Sequence, residues 1–229
     1  MNLEQLLQHG DIWRGDQLNA AAGVAAVPTG YSELDSLLRG GGWPTGALTE
    51  ILMARQGIGA LRLLMPALAR LSHDERWICW VAPPHIPYAP ALVAAGVDLS
   101  RVLLVHPRAQ QDGLWAVEQS LRSGTCGAVL AWPTVDDSGV MRRLQLAAEA
   151  GNALGFLFRS QAFSRRPSPA ALRIQLDAHS DGKLAVSILK RRGGWAAGPV
   201  CLDTAQQHDA LALHPRAATA AGSFQPRWQ

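Results

Sequence analysis

VPTGYSELDSLLRGGGWPTGALTEILMARQGIGALR, residues 27–62, is the stretch whose reading decides the fold. Ser32 stands in a capping-box relation to Asp35, so a helix is expected from Ser32 to the Gly40-Gly41-Gly42 run. A Pro44-x-Gly46 turn then leads into an apolar strand, Ala47 to Met53, and a helix from Gly59 to Leu71 that contains Pro66. Downstream the same alternation continues. Strands are expected at Trp77–Ala82, Val102–Val105, Ala128–Trp132 and Leu154–Phe158, with helices at Tyr88–Ala95, Leu114–Arg122 and Ser138–Ala150 between them. Strands that are apolar throughout and alternate with helices imply a parallel sheet covered on both faces. Leu172–Ala178 and Leu184–Lys190 alternate by twos around a His179–Gly182 turn, which predicts a hairpin on one edge of the sheet. Upstream, Asn2–Leu18 reads as an amphipathic helix and the Ala/Gly-rich residues after it as a linker. Three segments result: 1–26 as helix and linker, 27–194 as the core, and 195–229 as a loosely ordered tail.

Hydrophobic residues make up 48% of the 229 and charged residues 17%, the balance of a globular chain rather than a disordered one. No apolar run approaches the roughly 18 residues of a membrane span, and the N-terminus lacks the basic-then-apolar pattern of a signal peptide. A cytoplasmic location is expected. Cys79, Cys126 and Cys201 are too scattered for a disulfide framework or a zinc site and read as buried reduced thiols. Trp77, Trp80, Trp115 and Trp132 fall within regular elements and are expected in the core. The net charge is +3, but residues 159–192 hold eight basic side chains against two acidic ones, a surface suited to an acidic partner or a nucleic-acid backbone.

The helix carrying Thr29-Gly30 and Leu34-Asp35, the glycine run and the strand ending near Glu50-Ile51 resemble the entry to the core of RecA-type ATPases. The implied fold is α/β, a RecA-like parallel sheet with helices on both faces, extended by a C-terminal antiparallel hairpin. In that family the strand feeds a phosphate-binding loop whose lysine and hydroxyl residue hold phosphate and magnesium. Here Ala60 and Leu61 stand at those two places, Pro84 where a catalytic glutamate is expected, and Trp132 where a metal-binding aspartate is expected. The expectation is a scaffold with no ATP turnover, no cofactor and no metal, working by binding other proteins.

The strings IWRG (12–15), GGGWP (40–44), VAPPHIPYAPAL (81–92) and SPAALR (168–173) resemble the ImuA family, RecA-like accessory proteins of mutagenic translesion DNA synthesis, to which SulA-like proteins are related. That resemblance implies a non-catalytic adaptor of the SOS response, with ImuB (an inactive Y-family polymerase relative) and RecA as partners and a DnaE-type polymerase as an indirect one. The alternative is a SulA-type cell-division inhibitor that binds FtsZ.

Candidate contact residues follow from the RecA-type resemblance and from the aromatic side chains of the tail. Leu3, Leu6, Leu7 and Trp13 form an apolar N-terminal face, and Phe224 and Trp228 are aromatic anchors in the tail. Lys190, Arg191 and Arg192 end the hairpin and could approach a partner's nucleotide. Arg159, Phe163, Arg165 and Arg166 supply charge and one ring for single-stranded DNA.

Overall fold

The computed structural model describes residues 25–135, 137–179 and 181–204. Leu3, Leu6, Leu7, Trp13, Phe224 and Trp228 lie outside the described residues. The entry segment closes on itself, with β1 (Ala26–Val27) antiparallel to β2 (Trp43–Pro44) and α1 (Ser32–Leu37) between them. Gly42 permits this closure, because a Cβ there would stand 2.2 Å from the Val27 carbonyl oxygen. The expected capping box is replaced by another bond: Asp35 accepts from the Thr29 backbone N–H at 2.8 Å, while the Ser32 hydroxyl turns to Glu33.

The main sheet contains β3 (Ala47–Met53), β4 (Trp77–Val81), β5 (Val102–Val105), β6 (Cys126–Ala131), β7 (Leu154–Ser160), β8 (Leu172–Ala178), β9 (Leu184–Arg191) and β10 (Ala197–Leu202). Among the described residues its eight strands run in the order β10-β9-β8-β3-β7-β6-β4-β5. From β8 to β5 every pairing is parallel, whereas β9 and β10 are antiparallel additions. The expected antiparallel hairpin is present as β8 and β9, and the expected sheet is corrected by a further antiparallel strand, β10, beyond it. Ala197–Leu202, assigned from sequence to a loosely ordered tail, forms the edge strand β10. Its AGPVCL sequence lacks clean alternation, and Pro199 is tolerated because an edge strand needs fewer backbone donors.

Apolar strands serve two cores at once, because successive side chains point to opposite faces. Ile78 and Trp80 of β4, with Phe156 and Phe158 of β7, pack beneath α2 (Ala60–His73) and α3 (Ala89–Ala94). Cys79 and Val81 of β4, with Leu157 of β7, pack beneath α4 (Gln110–Arg122) and α5 (Ser138–Gly151). Pro66 sits within α2 without ending it. A proline cannot donate to the carbonyl four residues back, and that carbonyl, on Arg62, instead accepts from the Tyr31 hydroxyl at 3.4 Å. Burial, and then the charge of Asp203, pushes the Tyr31 phenol up to about 12.

The connection from β7 to β8 is the least ordinary part of the fold. Parallel strands are usually joined through a helix, but residues 161–171 cross β3 with only a short 3-10 turn, Gln161–Phe163. Backbone carbonyls on such a path need partners. Arg173 supplies them, donating to the carbonyls of Phe163 at 2.7 Å, Arg166 at 2.8 Å and Ser164 at 3.3 Å. Its Nε also donates to Glu50 Oε2 at 2.5 Å, and Arg159 donates to Glu50 Oε1 at 2.7 Å and to the Val135 carbonyl at 2.6 Å. Glu50 is fully buried on the central strand, so one carboxylate anchors two arginines that together stand in for a crossover helix.

Two expectations about individual side chains change. Cys79 and Cys126 are buried, but Cys201 is exposed on β10. Trp80 is buried, whereas Trp77 is 37% exposed and Trp115 65% exposed.

Candidate functional site

The loops that follow β3, β4, β6 and β7 all emerge at one edge of the sheet. The chain leaves β4 towards β5 and leaves β6 towards β7, so their connections diverge there. Crevices of this kind, at the carboxyl ends of parallel strands, commonly hold ligands. Here the space is a cleft of about 550 Å³. Its floor is an aromatic stack in which Trp132 lies 4.5 Å from Phe158, nearly parallel at 8°, and 5.9 Å from Trp80.

One wall is the loop between β3 and α2. Gly57 and Gly59 adopt φ of +82° and +100°, a left-handed backbone that favours glycine, and α2 begins there without a side-chain cap. The opposite wall is the segment from Pro83 to Tyr88, where Pro83, Pro84 and Pro87 stiffen the backbone and present Ile86 and Tyr88, 78% and 73% exposed. Gly182 of the β8–β9 turn and the buried Thr204 close a third side.

Ala60, Leu61, Pro84 and Trp132, the four positions singled out by the RecA-type resemblance, all line this cleft. Among the described residues the lining contains no aspartate, glutamate or lysine, and its titratable side chains are Arg62, His85 and Tyr88. Among the described residues no group of three or more His, Cys, Asp or Glu could hold a metal ion. The surface offered is therefore apolar and aromatic with a cationic border, suited to packing and charge complementarity.

The other sequence-selected residues lie elsewhere. The register Leu172↔Arg191 places Lys190, Arg191 and Arg192 near the start of β8, at the end of the parallel strands away from the cleft. Lys190 donates to the Ser168 carbonyl at 2.7 Å, Arg191 donates to the Leu37 carbonyl, and Arg192 pairs with Glu149 at 3.2 Å. Burial, followed by the charge of Arg173, lowers the Lys190 ammonium from its ordinary value. Arg159 is buried with Glu50 and lies 4.0 Å over the Phe163 ring, with Arg166 on that ring at 5.9 Å. Arg165 and Arg166 remain at the surface. Sequence reasoning did not select Trp80, Phe158, Ile86 or Tyr88 as site residues. The available signal was the proline-rich PPHIPYAP run, which prescribes a stiff exposed segment rather than a core helix.

The class defined by these features is an α/β domain with a mixed eight-stranded sheet and an aromatic cleft where its parallel strands end. Comparison with known proteins then points in one direction. A family model described as "Cell division inhibitor SulA" matches residues 46–155, from the start of β3 through α5. The curated Cell division inhibitor SulA of Photorhabdus laumondii is 34% identical over 116 residues, 50% of this chain and 65% of that protein. SulA of Edwardsiella piscicida is 34% identical over 99 residues, 43% of this chain and 59% of that protein. The chain thus spans somewhat under two thirds of the length of these two relatives. Among solved structures, SulA from Pseudomonas aeruginosa matches at 29% identity and a TM-score of 0.41, over 49% of this chain and 97% of that one.

These similarities overturn the ImuA resemblance and what it implied. The matched family model and relatives carry the SulA name, so a translesion-synthesis adaptor with ImuB, RecA and a DnaE-type polymerase as partners is set aside. The RecA-like designation goes with it, and the fold is described simply as a mixed α/β sheet. Among the described residues no helix is long and apolar enough to cross a membrane.

Proposed function

We propose that this chain is a SulA-type inhibitor of cell division, acting in the cytoplasm by binding the division protein FtsZ rather than by turning over nucleotide. The observation that carries the reading is the SulA family match across residues 46–155, the segment that builds both long walls of the cleft and contributes Trp80 and Trp132 to its floor. The described residues of the cleft lining, apolar and aromatic with Arg62 at the border, suit a binding role, because ATP hydrolysis needs charge to hold phosphate and metal. The test is FtsZ assembly with GTP, followed by light scattering and sedimentation, with the purified chain added at rising ratios. Loss of assembled FtsZ as the chain approaches stoichiometric amounts is expected. Unchanged assembly at excess chain overturns the proposal, and ATP turnover by the chain alone overturns its non-catalytic part.

A further inference from the structure

The geometry points to the aromatic cleft as a seat for an apolar side chain carried on an acidic segment of a partner protein. Its volume of about 550 Å³ falls in the roughly 300–1,000 Å³ range of clefts that bury most of a small ligand. Two large apolar side chains, Ile86 and Tyr88, stand exposed on its border instead of packing inward. Exposed apolar groups beside an apolar concavity mark a contact surface, and anchors of this kind carry a large share of interface energy. The prolines at positions 83, 84 and 87 hold the segment in place before contact, so less conformational freedom is lost on binding.

Charge selects the occupant. Arg62 lines the cleft, and Arg55 lines an adjoining depression that shares Met53, Gln56, Trp132 and Phe158 with it. Both arginines are exposed, and among the described residues no aspartate or glutamate lines either space. The acidic residues nearest in sequence to the Gly182 and Thr204 side are Asp181 and Asp203, and Asp181 is already bonded to His179 at 2.7 Å and Lys183 at 3.1 Å. A segment with carboxylates beside a phenylalanine or leucine matches this distribution, whereas a basic segment would meet like charge.

The inference shares with the proposed function only that the chain works by binding a protein, and the test separates the two. The full-length chain is titrated by calorimetry with three synthetic hexapeptides: DEFLDE, DESSDE and KKFLKK. DEFLDE is expected to bind, and to weaken as salt rises, while the other two do not. Ile86→Asp should weaken DEFLDE binding by at least about tenfold. Arg62→Glu should weaken it and flatten its salt dependence. Both positions are at the surface, so unchanged thermal melts establish that the variants are folded. No binding of DEFLDE, equal binding by both variants, or tighter binding of KKFLKK overturns the inference. So does binding of ATP with magnesium, or of a synthetic copy of residues 205–229, that displaces DEFLDE. FtsZ assembly is measured alongside. Inhibition of FtsZ without DEFLDE binding removes the cleft and keeps the function, and DEFLDE binding without inhibition does the reverse.

Discussion

Replacing Glu50 with glutamine tests the account of the helix-free crossover most directly. The side chains of Glu50, Arg159 and Arg173 are 0%, 4% and 7% exposed, and each carboxylate oxygen accepts from one arginine. Glutamine keeps the size of the side chain but removes the charge, and its amide nitrogen turns a donor towards an arginine donor. Two buried guanidiniums are then left without a counter-charge. Breaking a buried ion pair by removing one partner costs about 3–5 kcal/mol, and in a domain of this size that lowers Tm by about 6–20 °C. The mechanism predicts more than a global loss. Residues 161–171 should lose hydrogen-exchange protection first, because Arg173 and Arg159 tie this crossover and the Val135 loop to the sheet. Urea unfolding and hydrogen exchange on wild type and Glu50→Gln provide the measurement. A loss below about 1 kcal/mol, the worth of an ordinary surface pair, would refute the claim that this carboxylate holds the crossover.

Three further outcomes follow from the same structure. Arg173→Lys keeps a charge beside Glu50 but cannot span the Phe163, Ser164 and Arg166 carbonyls, so exchange within 161–167 should rise, with a global loss of about 1–3 kcal/mol measured in urea. Trp115→Ser should change stability by less than about 0.5 kcal/mol, as at other surface sites, while Trp80→Ala should cost about 3–5 kcal/mol; equal effects in thermal melts would contradict their burial. Tyr31 is raised from 10.0 to about 12 by burial and Asp203, so its stabilising contribution is complete below pH 10 and is lost as pH rises towards 12. A phenolate absorbance step near pH 12 that disappears in Tyr31→Phe, together with a flatter stability profile over that window, is the expected result.

Local chemistry made much of the element order legible. The strand and helix after Gly46 could be located because apolar runs bounded by glycine and proline have few other ways to satisfy their backbone. The alternation of Leu172–Ala178 with Leu184–Lys190 marked β8 and β9 for the same reason. Long-range partners were not legible. Asp35 bonds to Thr29 rather than completing a box with Ser32, and Arg159, read as a surface cation, is buried against Glu50. The charge run at residues 159–192 looked like one patch, yet Arg173 serves the crossover, Lys190 and Arg191 bond to carbonyls, and Arg192 pairs with Glu149.

The sequence by itself determined an alternating α/β chain with uncharged side chains at Ala60, Leu61, Pro84 and Trp132. Only the tertiary structure decided that these four surround one cleft, that Trp80, Trp132 and Phe158 stack across three separate strand ends, and that β10 completes the sheet's edge. Periodicity reports which face of an element a residue occupies. It carries no information on which distant residue the chain brings opposite it, because that depends on strand order and on the route of each crossover.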